Sequence, residues 1–192
     1  NDINIGFIGL GNVGSKLANS ILISNYNLFV YDLDIKKSQD LIRKGAQLCS
    51  SIKDLSSKSN IIITCLPTPK AVSDAVEGSE GFINYIHNNH LWIEMSTTDE
   101  LEMIRLSQLV KEKGGEILEA PVTGGQHRAG TGNIAILVSG ERKIFERALP
   151  IFTEIGNEIL YCGKIVNAST LKVITNYLAS INLSTWRSFN GC

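Results

Sequence analysis

The stretch Ile3-Asn4-Ile5-Gly6-Phe7-Ile8-Gly9-Leu10-Gly11-Asn12-Val13-Gly14 decides the fold of this 192-residue chain. Its first half is an apolar run typical of a β-strand, and its second half is a GxGxxG loop that opens a helical pattern. In such a loop Gly9 makes a tight turn, Gly11 lets the backbone approach a pyrophosphate, and Gly14 lets the helix pack on the strand. The phosphates then meet free N–H groups at the helix N-terminus. An ordinary glycine-rich turn has the same spacing, but the strand before it and the helix after it favour a dinucleotide site.

An acidic residue about 20 positions after the loop is expected to complete that site, and Asp32 lies 18 residues after its last glycine. From the end of the second predicted strand, its carboxylate can accept hydrogen bonds from both ribose hydroxyls and repel a 2′-phosphate. Leu33 follows and offers no cation to NADP, although Lys36 and Lys37 lie one turn further. We therefore predict NAD as the cofactor. A strand-end carboxylate can instead cap the next helix, a role that suits Asp34 better.

Short β-branched or apolar runs alternate with segments long enough for crossover helices through most of the chain. Ile61–Cys65 is apolar without alternation, as expected of a central strand covered on both faces. This order predicts an α/β fold with a Rossmann-type doubly wound, mostly parallel sheet. A helix is predicted near Arg142–Phe152. The predicted strands are Ile3–Ile8, Leu28–Tyr31, Ile61–Cys65, Leu91–Met95, Glu116–Glu119, Ile134–Ser139 and Glu158–Tyr161.

The last part of the chain reads as one long helix that starts near Ile165. Its only charged side chain as far as Trp186 is Lys172, which is unusual for a helix with a solvated face. We therefore divide the chain into a dinucleotide-binding domain over residues 1–163 and the start of an interdomain helix over residues 164–192. The partner that would cover this helix is expected outside the sequence, as in a truncated protein. Association of two copies through the helix would also cover its apolar positions, which include Leu171, Ile174, Leu178, Ile181, Trp186 and Phe189.

Composition excludes several classes of function. The formal charge is −1, so no basic field steers the chain onto nucleic acid or an anionic membrane. The four cysteines form no CxxC pair and no Cys/His ligand spacing, so neither a metal site nor a disulfide framework is predicted. No run is long enough to span a membrane, and no leader pattern is present. We expect a cytoplasmic protein.

Three stretches carry a family resemblance: FIGLGNVGSKLA at Phe7–Ala18, EAPVTGGQHRAGTGNIAILVSG at Glu119–Gly140, and Lys172 with Asn176. In this order they resemble the β-hydroxyacid dehydrogenases, the family that includes 3-hydroxyisobutyrate dehydrogenase, tartronate semialdehyde reductase and, more distantly, 6-phosphogluconate dehydrogenase. The resemblance covers the whole chain. It implies that the missing part is an all-helical C-terminal domain.

The resemblance also implies site roles, and the chemistry of the residues agrees with them. Oxidation of an alcohol needs a group that takes the hydroxyl proton, and a lysine shielded by apolar neighbours has a lowered pKa that suits this task. Lys172 is that candidate, although a lysine on a mostly buried helix can also simply extend to solvent. Asn176, one turn on, would position the substrate hydroxyl, and Thr123, Gly124 and Gly125 would bind its carboxylate. The predicted cofactor contacts are Gly9, Leu10, Gly11, Asn12, Val13, Gly14, Asp32, Leu66, Pro67, Ser96 and Thr97.

Some positions depart from the family pattern. Glycines usual six and four residues before the lysine are Val166 and Ala168 here, which puts close backbone approach to a ligand in question at that turn. His127 and Arg128 follow the predicted carboxylate site, where they could contact a second anionic group or simply form a solvated loop.

The sequence thus predicts an NAD-dependent β-hydroxyacid dehydrogenase that moves a hydride between NAD and a small β-hydroxy acid, with Lys172 as the proton-transfer residue. The expected substrates resemble 3-hydroxyisobutyrate, glycerate or tartronate semialdehyde, and the truncated chain is expected to be inactive alone. The alternative is an NAD-binding module without turnover, from a truncated or degenerate homologue. Retention of Lys172 favours the enzyme.

Overall fold

The computed structural model describes residues 3–24, 26–88, 90–124 and 134–177. Strands and helices alternate along them, and 3-10 turns cover Ile35–Ser38 and Phe82–Asn84. The strands are β1 Asn4–Ile8, β2 Asn27–Tyr31, β3 Gln47–Leu48, β4 Ile61–Thr64, β5 Leu91–Glu94, β6 Glu116–Glu119, β7 Val122–Thr123, β8 Ala135–Gly140 and β9 Glu158–Gly163. The helices are α1 Gly14–Ile23, α2 Gln39–Arg43, α3 Ile52–Lys58, α4 Pro69–Glu77, α5 Glu100–Glu112, α6 Arg142–Ile155 and α7, described over residues 167–177.

The strands form one mostly parallel sheet in the order β3-β2-β1-β4-β5-β6-β8-β7, with β9 beside β8. From β3 to β6 all neighbours are parallel, whereas β8 is antiparallel to β6 and β7. The order 3-2-1-4-5-6 is that of a Rossmann sheet, so the predicted α/β doubly wound fold is confirmed. The strand order reverses between β1 and the parallel strand β4, and a crevice opens there at the carboxyl ends of the strands.

Two apolar cores lie on opposite faces of the sheet. Helices α1, α2 and α6 cover one face, where Leu17 and Phe152 pack with Ile63 of β4. Helices α3, α4 and α5 cover the other, where Leu55 and Trp92 pack with Ile62. Successive side chains of β4 point to opposite faces of the sheet, and each face is covered by an apolar core. Side chains on both faces are therefore apolar, which explains the unbroken apolar run in the sequence.

The predicted elements are confirmed with small differences at their ends. Two strands of two residues each, β3 and β7, were not predicted because periodicity cannot be read from two positions. Helix α7 begins at residue 167, later than the predicted Ile165, because residues 164–166 form a turn in which Val166 has φ +84°. Leu178, Ile181, Trp186 and Phe189 of the predicted helix lie outside the described residues.

Candidate functional site

A cleft of about 1110 Å³ opens at the crevice between β1 and β4. This volume is at the upper limit of sites for small molecules and cofactors. The glycine loop, the end of β2, the segments after β4 and β5, and α7 all contribute to its walls. Elements distant in sequence therefore meet at one edge of the sheet.

The three glycines of the loop differ in why a glycine stands at each position. Gly9 has φ +96°, and a side chain there would collide with the backbone oxygen of Cys65. A side chain at Gly14 would collide with the backbone oxygen of Gly9, which confirms close contact of the helix start with the loop. At Gly11 a Cβ would meet no protein atom within 4 Å. The protein's own packing does not require a glycine there, so the space suits the close approach of a ligand.

The start of α1 is open to an anion. Val13 is the N-cap residue and makes no side-chain cap hydrogen bond, and the first turn carries no acidic side chain. Val13, Asn12 and Gly11 line the cleft. Since helix N-termini favour negative charge, these residues could hold a pyrophosphate.

Asp32 is held in place at the end of β2. Its Oδ2 accepts a hydrogen bond from the backbone N–H of Leu10 at 2.7 Å, and its Oδ1 accepts one from Asp34 N–H at 2.8 Å. Lys37 Nζ lies 3.5 Å from Oδ1. Asp34 caps the following 3-10 turn through Lys36 N–H, as expected. Asp32 therefore faces the cleft with a fixed orientation, while Leu10 is buried and only its backbone takes part.

The segments after β4 and β5 form the other end of the cleft. Leu66, Pro67, Ser96 and Thr97 line it, as the sequence predicted for one shared edge. Leu66 N–H donates to Ser96 Oγ at 2.7 Å, which joins the two segments.

Glu94, the last residue of β5, links β4 to the segment after β5 through its side chain. Its carboxylate is fully buried and accepts hydrogen bonds from Thr64 Oγ1 and from Ser96 N–H. Burial raises the pKa of the Glu94 carboxyl to about 7. No sequence pattern singled out this carboxylate, because an acid at a strand end usually lies in solvent.

Lys172 and Asn176 lie on α7 and both line the same cleft. The spacing of four residues places them on one helix face. Burial lowers the pKa of the Lys172 ammonium below its ordinary value, the direction expected for a lysine shielded from water. A half-buried lysine therefore lies in the cleft that holds the glycine loop.

The second predicted motif is only partly described. Val122 lines the cleft, while Thr123, next to it in β7, pairs with Ala135 and is not among the lining residues. Gly124 is exposed with φ +119°. Gly125, His127 and Arg128 lie outside the described residues, and their predicted roles stay untested.

Several lining residues were not predicted, namely Tyr31, Asp34, Lys37, Cys65, Ala71, Asp74, Ser79, Glu80, Met95 and Val122. Cys65 and Met95 directly follow β4 and β5, so their positions at strand ends could have indicated them. Burial raises the pKa of the Cys65 thiol to about 12, which makes it a wall residue and not a nucleophile.

Comparison with known proteins identifies the family. The sequence profile described as the NAD binding domain of 6-phosphogluconate dehydrogenase matches residues 4–163. The chain belongs to this family. As a 6-phosphogluconate dehydrogenase-type NAD-binding domain, it has NAD as its cofactor, and its Rossmann fold agrees with the sequence prediction.

Individual relatives differ in name. Bovine mitochondrial 3-hydroxyisobutyrate dehydrogenase is 31% identical over 179 residues, which cover 93% of this chain and 53% of that protein. Human cytokine-like nuclear factor N-PAC is 30% identical over 184 residues, 96% of this chain and 33% of N-PAC. The solved structure of Psf3 with NADP+ and 2-OPP matches with a TM-score of 0.89 and 26% identity, over 94% of this chain and 64% of that one. The chain thus spans about half the length of the bovine dehydrogenase.

Within the described part of the chain, no three His, Cys, Asp or Glu side chains group as metal ligands do. Among the helices of the same residues, none has the length and apolar character needed to cross a membrane.

Proposed function

We propose that this chain is the cofactor-binding part of an NAD-dependent dehydrogenase for a small β-hydroxy acid. The observation that carries the proposal is the presence of Lys172 in the same cleft as the glycine loop and Asp32. A binding module needs the loop and the carboxylate, but it has no use for a half-buried lysine in the same cleft. The substrate class resembles 3-hydroxyisobutyrate, which the match to the bovine dehydrogenase supports, or glycerate, which the family resemblance implies.

Position in the cleft supports some of the proposed roles, and the family resemblance supports the others. The bound nicotinamide would accept the hydride of the alcohol carbon, and Lys172 Nζ would take the hydroxyl proton. Asn176, one turn further on α7, would orient the hydroxyl. Thr123 with the N–H groups of Gly124 and Gly125 would hold the carboxylate. Leu66, Pro67, Ser96 and Thr97 would border the nicotinamide, and Gly9–Gly14 with Asp32 the remainder of the dinucleotide.

The proton-transfer role of Lys172 is tested in the natural full-length protein. Lys172→Ala should reduce turnover of 3-hydroxyisobutyrate or glycerate at least about 10²-fold, as is usual for loss of a general acid–base group. The Kd for NAD should change little, because the glycine loop and Asp32 are intact. Lys164→Ala, an exposed lysine in the turn before α7, is the matched control and should keep wild-type turnover. A Lys172→Ala protein that retained most of its turnover would refute the role.

The 192-residue chain alone is proposed to bind NAD without turning substrate over. Lys172 and Asn176 approach the cleft from one helix only, so a substrate would be held on one side and exposed to water on the other. Formation of NADH from 3-hydroxyisobutyrate or glycerate should therefore stay at background while NAD binds. Ordinary dehydrogenase rates from the isolated chain would contradict this. We also propose that the NAD-binding domain ends at residue 163, where the interdomain segment begins, and that the protein is cytoplasmic.

A second candidate function is that of an NAD-binding module that catalyses no turnover, either as the 192-residue chain or as the full-length protein. The similarity to human N-PAC over nearly the whole chain favours it, since that relative is named as a nuclear factor. A full-length protein that binds NAD but oxidises no β-hydroxy acid would support this candidate. Measurable turnover that depends on Lys172 would exclude it.

A further inference from the structure

Glu119, the last residue of β6, joins three segments of the chain through one buried carboxylate. Its side chain is fully buried. Its Oε2 accepts hydrogen bonds from Ser139 Oγ at 2.7 Å and from the backbone N–H of Val166 at 2.9 Å. Its Oε1 accepts a hydrogen bond from Ser169 Oγ. All three donors are fixed by one side chain, because both carboxylate oxygens are used.

Two of these donors belong to the segment that carries Lys172. Val166 immediately precedes α7, and Ser169 lies in its first turn, three residues before Lys172. Ala168 N–H also donates to Ser139 Oγ, at 3.4 Å. Since residues three apart on a helix are neighbours on its surface, a fixed Ser169 determines where the Lys172 side chain leaves the helix.

The described remainder of α7 is less buried than its first turn. Val166, Ala168 and Ser169 are buried, but from Thr170 to Tyr177 each described side chain is half-buried or exposed. Within residues 166–177, the buried contacts of α7 are therefore concentrated at its first turn.

We propose that Glu119 is a positioning residue, which fixes the first turn of α7 on the sheet and so holds the Lys172 ammonium at its place in the cleft. The inference rests on the proposed function of Lys172. Glu119 itself is not a catalytic residue, since it is fully buried and does not line the cleft.

The neighbouring strand provides a matched comparison. Glu94 is the register partner of Glu119 on β5 and is equally buried. Its hydrogen bonds go to Thr64 and Ser96, on the opposite side from α7. Loss of either carboxylate leaves buried donors unsatisfied, which costs stability, but only loss of Glu119 removes contacts to α7.

Glutamine at position 119 is expected to preserve the hydrogen bonds that hold the first turn of α7. In Glu119→Gln the amide oxygen can still accept from Ser139 Oγ and Val166 N–H, and the amide nitrogen can donate to Ser169 Oγ after its hydroxyl rotates. Glu119→Ala cannot replace these bonds. Ser169→Ala removes only the bond to the helix and leaves the carboxylate in place, so it is the milder variant if Glu119→Ala does not fold.

The test is hydrogen exchange of the 192-residue chain, followed on peptides within residues 164–177. Glu119→Ala and Ser169→Ala should increase exchange of this segment at least tenfold, whereas Glu119→Gln should stay within about threefold of wild type, because it keeps the bonds. Two controls should leave the segment unchanged: Glu94→Ala, and Thr175→Ala on α7, whose hydroxyl donates to Lys172 O of the same helix. NAD affinity should be retained in Ser169→Ala, because Ser169 does not line the cleft.

A second measurement addresses positioning directly. The pKa of Lys172, followed by NMR of labelled lysine side chains, should rise toward its ordinary value in Ser169→Ala, because a released helix exposes the ammonium to water. A residue that served only stability would leave this pKa unchanged.

Wild-type exchange of residues 164–177 in both Glu119→Ala and Ser169→Ala would overturn the proposal, as would equal release of α7 by Glu94→Ala. Neither result depends on turnover. The proposed function is judged separately, by the turnover of Lys172→Ala, so the two can fail independently.

Discussion

Asp32 illustrates how single residues determine the cofactor end of the cleft. Both of its oxygens are engaged, by the N–H groups of Leu10 and Asp34, and its side chain is only 9% exposed. The carboxylate is therefore held in one orientation, in which we propose that it accepts hydrogen bonds from the ribose hydroxyls of NAD and repels the 2′-phosphate of NADP. Lys37, 3.5 Å from Oδ1, compensates part of that charge.

We predict that the wild-type chain binds NAD more tightly than NADP, and that Asp32→Ala narrows the difference. Loss of charge-assisted hydrogen bonds worth about 1.5–3 kcal/mol corresponds to roughly a 10- to 100-fold weaker NAD complex. Titration of both cofactors measures this. Asp34→Ala is the matched control, because that carboxylate caps the neighbouring turn, and it should leave the NAD:NADP ratio nearly unchanged. Tighter binding of NADP than of NAD by the wild type would reject the assignment.

At the scale of elements, the turn from β9 to α7 contains an unfavourable backbone conformation. Val166 has φ +84°, a region that costs a residue with a Cβ roughly 1–2 kcal/mol. The structure compensates with the hydrogen bond to Glu119 and with burial of the side chain. The usual family glycine at this position would adopt the same turn without strain.

Two substitutions separate strain from packing at this turn. Val166→Gly and Val166→Ala both remove the buried side chain, but only glycine relieves the backbone strain. The Val166→Gly protein should therefore be more stable than the Val166→Ala protein by about 1 kcal/mol. Urea denaturation measures the difference. At Val173, inside α7 and 57% exposed, the order should be reversed, because alanine is about 1 kcal/mol better than glycine within a helix. If alanine were more stable than glycine at both positions, Val166 would not be strained.

At the scale of the whole molecule, the sheet is covered on both faces while α7 leaves an apolar surface in solvent. Val173, Ile174 and Tyr177 are 57%, 49% and 67% exposed, and their spacing places them along one side of the helix. Contact with a second copy would remove this surface from water, so we propose that the chain forms a homo-oligomer through α7, as the apolar pattern of this helix predicts.

We expect the 192-residue chain to self-associate in a concentration-dependent manner, as measured by sedimentation. Ile174→Glu should weaken association at least about tenfold, because a buried charge without a partner is unfavourable at an interface. Ile23→Glu changes an isoleucine that is 70% exposed at the end of α1 and should have no effect. A wild-type chain that stays monomeric across the concentration range would contradict the proposed interface.

Residues that are recognised from their neighbours along the chain were predicted from the sequence. The loop Gly9–Gly14 follows a strand and opens a helix, and its glycines were predicted from the GxGxxG spacing in that context. Asp32 was predicted from its distance after the loop, and Leu66, Pro67, Ser96 and Thr97 were predicted from the family resemblance together with their positions after strands. Lys172 and Asn176 were found from their helical spacing and from the family resemblance.

The pairing of the buried polar residues became clear only from the tertiary structure. Glu119 contacts Val166 and Ser169 about 50 positions further along, and Glu94 contacts Thr64 30 positions earlier. Such contacts depend on which strands become neighbours and in which register, information that no local pattern contains. The left-handed conformation of Val166 is also a tertiary result, because an isolated valine avoids it and the hydrogen bond from its N–H to Glu119 of β6 supports it here.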